Sequence, residues 1–416
     1  MTRSTAVRAP RPAWLMLLVL TSAFALSQSF RTVAAIMATP LQRDFGLSAQ
    51  ALGLFAGAFH FAFGALQLFM GIGIDLQGVR RTVLIAFPLA VAGALVSALS
   101  QHFAVLVLGQ VLIGIGCAPA FLVCTVFIAR HFPAERFASI SGLAMGLGSI
   151  GMLLTGTPLA WLIQHSSWRM GFFALAGGSA LAWAAIFWLV YEPAPLASTV
   201  PAAPARLSLS AALRSYGALF SLPHTLGIVV LGAVTYASFL SLRGLWLGPL
   251  LIERHGFSLV QSGNAALAMS LVGLFGPALF GRIDPGATRR RRWILLCTGA
   301  TATLFGAMAF NRGAAFDVAA SGAIGLLSGY IVLQYADVKA AYPAHMTGRA
   351  MAVFTMAMFL GIAVMQWFTG VVASAATAHG VDPFLGVLLT IAALLALGGL
   401  AFRWLPGPAS ARPLPD

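Results

Sequence analysis

Twelve long apolar runs constrain this chain more than any motif in it. They cover residues 13–38, 49–72, 82–100, 104–129, 137–164, 170–190, 224–251, 260–281, 293–310, 315–336, 350–375 and 383–402. About 20 apolar residues carry a helix across the hydrocarbon core of a bilayer, and the runs cluster around that length. The expectation is an all-α membrane protein of twelve transmembrane helices. With 60% apolar and only 8% charged residues, and a mean hydropathy of +0.92, the chain lies far from the composition of soluble domains.

The first run needs a decision of its own. Arg3, Arg8 and Arg11 precede it and the small residues Ala23 and Ala25 lie within it, a pattern shared with cleavable signal peptides. The run continues well past Ala25, and its removal would leave an odd number of helices. It reads as the first span.

Orientation follows from the 24 basic residues. Arg43, Arg169, Arg254 and Arg312 fall on one side, Arg31 and Arg243 fall inside the membrane, and all the others, including the run Arg289 to Arg292, fall on the opposite side. The positive-inside rule makes that richer side cytoplasmic and places both termini there. The net charge of +14 is then a topology signal, and no nucleic-acid partner is read from it. The lipid bilayer is the partner that the composition does imply. Cys117, Cys124 and Cys297 lie in apolar runs without metal-ligand spacing, so no metal site and no cofactor are expected.

The longest loop, EPAPLASTVPAAPARLSLS at 192–210, is rich in Pro, Ala and Ser like a connector. It divides the chain into residues 1–191, a cytoplasmic linker over 192–222, and residues 223–416. The halves echo each other. RTVAAIMATPLQRDFGLSAQALG (31–53) and RGLWLGPLLIERHGFSLVQSG (243–263) each start at an intramembrane Arg, pass a Pro, and end in a Ser with a Gly five residues later. Two such six-helix repeats are an arrangement found among secondary transporters.

The loop after the second run, GIGIDLQGVRRTVL at 71–84, resembles the signature of the major facilitator superfamily: Gly71, Asp75, Gly78 and the basic pair Arg80 and Arg81 fit it. Leu76 and Val79 stand where basic residues are frequent in that family. FGRIDPGATRRRR from residue 280 is a more degraded copy around Asp284. The resemblance spans nearly the whole chain. It implies two pseudo-symmetric six-helix bundles that expose a midplane site to each side in turn, with Gly71, Asp75, Gly78, Arg80, Arg81 and Asp284 in conformational gating. Two departures stand out. Gln110 occupies a fourth-helix position where the resemblance leads one to expect Arg, and the fifth helix, with Gly142, Gly146 and Gly151, lacks the compact Gly-Pro pairing of the antiporter motif.

The intramembrane arginines carry the substrate reading. Each costs roughly 2.5–3.5 kcal/mol at the bilayer centre on insertion scales, so something must compensate them. By the spans above, none of the ten acidic residues lies at mid-membrane, although Asp337 comes close to the end of the tenth run. An anionic small-molecule substrate is the natural counterpart. Gln28 precedes Arg31 by one turn, and His60, coming back from the outer side, reaches a similar depth. Tyr236 and Trp246 share a helix face with Arg243. These six residues are the candidate binding set. One Arg in the first helix and one in the seventh is similar to the organophosphate:phosphate antiporter branch, and carboxylates stay equally open. His60 is the one central group that titrates near neutral pH; whether it carries a coupled proton or bonds a neighbour is open, and a counter-anion would need neither.

The function expected is therefore secondary active transport of a small organic anion by a monomer in a bacterial inner membrane. That location is suggested by 23 arginines against one lysine and by short loops. The alternative is proton-coupled multidrug efflux. No nucleotide loop, metal cluster or catalytic triad suggests an enzyme.

Overall fold

A computed structural model describes residues 11–133, 136–191, 217 and 219–405. The connector over 192–216, the surroundings of the gating candidates Gly71 and Asp75, and both chain ends lie outside the described residues.

Every described span is helical, as a backbone in hydrocarbon requires. The first span is Arg11–Phe45 and the second begins as Ala49–Ala65. A turn at Leu66 then passes into one long helical stretch, Gln67–Ala98, whose path breaks at Gly78 (φ 82°, ψ 169°) and becomes the third span. The fourth comprises Phe103–Cys117 and Ala120–His131, parted at Ala118 and Pro119. The fifth comprises Phe137–Leu154 and Thr157–His165, and the sixth is Trp168–Leu189. The seventh runs as Thr225–Ser241 and continues to Arg254 partly in wide π turns, Leu242–Trp246 and Leu250–Arg254. Leu259–Arg282, Ala287–Ala309, Ala314–Leu327 with Ile331–Ala341, Ala344–Ala378 and Pro383–Trp404 complete the set. Among the described residues eleven helices are long and apolar enough to cross a membrane, and Ala49–Ala65 is a shorter apolar helix.

The starts of two spans show why they begin where they do. Ser167 accepts from the Met170 backbone N–H at 3.3 Å, and Asp382 accepts from that of Phe384 at 2.9 Å, with Pro383 as the first helical residue. Both are side-chain caps of N–H groups that the helix itself cannot pair. The bilayer-facing surfaces are apolar: Leu181, Phe275, Leu296 and Trp404 are largely exposed.

The described residues form two compact units. The first gathers those within Met1–Ser48, Leu54–Ala202 and Arg243–Leu267; the second, those within Ala49–Gly53, Ala203–Leu242 and Ala268–Asp416. Packing thus exchanges short segments relative to the two sequence repeats.

In the first unit, glycines bring helices into backbone contact, as small residues do in membranes. A Cβ at Gly151 would overlap the Ala25 carbonyl, and one at Gly248 the Ala35 carbonyl. Gly142 and Gly146 of the same fifth span face open space, so only part of its glycine pattern is a helix contact. Phe30, Phe55, Phe59, Phe127 and Phe172 are buried in this unit. The second unit packs Ile294, Tyr330, Leu333, Val353, Phe354 and Phe402 around one core, and a Cβ at Gly361 would overlap the Ala233 carbonyl.

Candidate substrate site

Arg31, Gln28 and His60 on the first two spans, and Arg243 and Trp246 on the seventh, are all buried and all belong to the first unit. The Arg31 guanidinium sits over the Phe63 ring at 4.5 Å, with Phe24 at 6.0 Å. Such a cation–π arrangement partly replaces lost hydration. Phe63 lies one helical turn from His60, whose Nδ1 is 3.1 Å from the Ala56 carbonyl oxygen of its own helix.

Arg243 has no exposed surface, and its Nη2 donates to the Met152 carbonyl at 2.7 Å. The sequence explains why that carbonyl lacks a backbone donor; the Thr155 hydroxyl also donates to it, at 3.1 Å. The first helix of the fifth span stops at Leu154, ahead of Pro158, and the Gly156 N–H tightens back onto Leu153 at 3.1 Å. Met152 is then among the last carbonyls of a helix, which lack intrahelical partners. Its position on the backbone hid it from side-chain reading; Pro158 was the available signal. Arg243 itself lies in the first π turn, six residues before Pro249. Proline has no N–H to return to the preceding turn, and single widened turns are frequent at functional sites.

The same turn of the fifth span meets the first. Ser29 Oγ donates to the Gly151 carbonyl at 2.9 Å, and the Thr32 and Thr155 hydroxyls lie 2.6 Å apart. One short stretch, residues 151–155, therefore holds the segment carrying Arg31 and bonds Arg243 directly. Gln28, one turn before Arg31, is 6% exposed, and its Oε1 has no hydrogen-bond partner among the described residues. The Gln110 Nε2 is likewise buried and unpartnered. Tyr236 belongs to the second unit, packed against Phe239 and Phe359 with ring centroids 6.1 and 6.2 Å away.

Farther along the first span, a cavity of about 530 Å³ is bordered by Thr39, Asp44, Gln164, Trp168, Phe257 and Ser258. Asp44 accepts there from Trp168 Nε1 at 2.6 Å and Arg169 Nη1 at 3.2 Å.

Arg80 donates from Nη2 to the Phe187 carbonyl at 2.7 Å, and Arg81 is exposed. Asp284 receives a bidentate pair from Arg290, closest at 2.7 Å, and also the Gly286 N–H at 3.1 Å. Arg290 holds this carboxyl below its ordinary pKa. Among the described residues the buried carboxylates are Asp317 and Asp337, both in the second unit. Asp337, read from sequence as a span-end residue, is only 7% exposed.

This assembly of apolar helices around a few interior polar groups is that of a polytopic membrane transporter. Residues 18–365 match the family profile described as Major Facilitator Superfamily, and the chain belongs to that family of secondary transporters. It is not an enzyme. It is 30% identical over 304 residues to an MFS-type efflux pump of Mycolicibacterium smegmatis, covering 69% of this chain and 66% of that one. It is also 28% identical over 167 residues to a D-galactonate transporter of Escherichia coli, covering 39% and 38%. A hexuronate transporter of Bacillus subtilis shares 23% over 263 residues, covering 61% and 60%. The matches thus span from well under half to about two thirds of these relatives. A crystal structure of the nucleoside transporter NupG (D323A mutant) superposes with a TM-score of 0.76 at 15% identity, covering 94% of this chain and 99% of that one, and shows the shared fold.

Proposed function

We propose that the chain transports a small hydroxylated organic anion, of the sugar-acid kind, by alternating access of two six-span repeats (residues 1–191 and 223–416) joined by the linker at 192–222. Arg31 and Arg243 bind the carboxylate, and Gln28 takes a substrate hydroxyl. The carrying observation is that Gln28 Oε1, a buried acceptor without a donor, lies one turn from a buried guanidinium. A carboxylate alone would not answer that acceptor; a polyhydroxy acid answers both. His60 and Trp246 complete the wall. Relatives named for galactonate and hexuronate support the class.

Gly71, Asp75, Gly78, Arg80, Arg81 and Asp284 serve as the gating loops on the cytoplasmic side. The charge asymmetry supports a bacterial inner membrane with both termini cytoplasmic. The protein works as a monomer, and its site needs no cofactor.

Thermal-shift binding tests the reading on purified protein with D-galactonate, D-glucuronate, inorganic phosphate and a lipophilic cation. Sugar acids are expected to stabilise the wild type. Arg31→Gln and Arg243→Gln should each weaken binding by roughly 10- to 150-fold, the worth of one hydrogen bond to a charged group. Stabilisation by the cation alone, unchanged in both variants, would overturn the anion reading in favour of efflux, which the mycobacterial relative keeps in play.

A further inference from the structure

The cavity of about 530 Å³ at the far end of the first span falls within the size range of small-molecule sites. Thr39 and Arg43 of the first span, Gln164 at the end of the fifth, Trp168 at the start of the sixth, and Phe257 and Ser258 beyond the seventh all border it. Every one of them belongs to the first unit. By the charge distribution this is the side away from the arginine-rich loops. Arg43 follows Arg31 by twelve residues, about 18 Å along a helix at 1.5 Å per residue. The cavity is therefore a place apart from the central arginines.

Its charges do not cancel. Asp44 is matched, by an ion pair with Arg169 at 3.2 Å and by the Trp168 Nε1 donor at 2.6 Å. Arg169 also covers the Trp168 ring at 4.2 Å, so that wall is fixed in place. Arg43 is exposed and has no hydrogen bond or ion pair among the described residues. Glu253 and Arg254 of the seventh span do not border the cavity. One cation is left over.

The neutral polar groups have capacity to spare as well. Thr39 Oγ1 is buried without a partner among the described residues. A helical threonine usually donates to the carbonyl one turn back, but here that carbonyl, of Ala35, is pressed against Gly248. Gln164 accepts through Oε1 from the Val260 N–H at 3.3 Å, which leaves its amide N–H groups to donate. Ser258 Oγ accepts from the Gln261 N–H at 3.2 Å and keeps its own proton to donate.

We propose that this cavity is a second binding site for a small polyhydroxy acid, an outer vestibule separate from the central clamp. Arg43 takes the carboxylate, Thr39, Gln164 and Ser258 take hydroxyls, and Phe257 lies against the carbon skeleton. The site rests on the sugar-acid reading for the class of its ligand, and on its own residues for the rest.

Labelling of Ser166→Cys with N-ethylmaleimide in the purified full chain tests it. Ser166 borders the cavity and is exposed, whereas the three native cysteines are buried. D-Glucuronate is expected to slow the labelling, and neutral D-glucose at the same concentration to leave it unchanged. The slowing should survive Arg31→Gln, which disables the central clamp. In Arg43→Gln, which breaks no bond seen among the described residues, and in Thr39→Val, the half-protecting concentration should rise by about fivefold, the worth of one exposed ion pair or one neutral hydrogen bond. No slowing up to the solubility limit, equal slowing by D-glucose, loss of slowing in Arg31→Gln, or an unchanged half-protecting concentration in Arg43→Gln would each overturn the proposal. If thermal shift shows no dependence on Arg31 and Arg243 while labelling is still slowed, the clamp falls and this site stands.

Discussion

The turns at Gly78 and Gly286 share one backbone conformation. Gly78 has φ 82° and ψ 169°, and Gly286 has φ 80° and ψ 168°. Around Gly286, Asp284 gathers Arg290 and the glycine N–H into a closed local pair. On the other turn, Arg80 reaches across to the sixth span and donates to a backbone carbonyl. The repeat has preserved the path of the chain at these two turns. Among the described residues the buried charges differ between the units: Arg31 and Arg243 in the first, Asp317 and Asp337 in the second.

The largest effect should come within one span. Gly151→Ala forces the fifth span off the Ala25 carbonyl and should cost about 1–3 kcal/mol or more. Gly142→Ala, with open space around it, should be neutral or stabilising by up to about 1 kcal/mol. Thermal unfolding of both in detergent checks this; equal losses would mean that the span contact is misassigned.

Next come the paired turns. Both glycines lie in a region of positive φ and extended ψ that is essentially closed to L side chains, at about 1–3 kcal/mol per residue. Gly78→Ala and Gly286→Ala should therefore destabilise by similar amounts. A several-fold difference in denaturation midpoint shift would break the equivalence of the two backbones.

The smallest effect tests the ion pair at the second turn. Asp284 is partly exposed, so its pair with Arg290 is worth less than about 1 kcal/mol after screening. Because Arg290 depresses the folded-state pKa of Asp284, the contribution is complete above the unfolded carboxylate value of about 3.9. It disappears as pH falls through the lower folded value. Arg290→Gln should thus lose stability at neutral pH and match the wild type in strong acid, as read by melting temperature against pH. A gap that widens on acidification would contradict the pairing.

The helical class and the apolar spans were legible because hydrocarbon imposes one solution on long apolar runs. The breaks at Leu66 and at Ser328–Tyr330 were not, because a hydropathy window registers polarity and not the hydrogen-bond register of a turn. Arg31 and Arg243 were visible as charges in apolar surroundings. Met152 was hidden because its relevant group is a carbonyl, common to every residue. Asp337 was legible as a residue near a helix end but not as a buried one, because Ile294, Phe354 and Phe402, which line the cavity beside it, come from three other spans.

The bond between Arg243 and Met152 also bears on how the chain is made. Synthesis runs from the N-terminus, so Met152 is in place 91 residues before the arginine it will accept from. Arg31 emerges before Phe63, the ring that will cover it. The seventh span can therefore hand its cation to a finished neighbour as it leaves the translocation machinery, whereas the first must wait for its shelter to be translated.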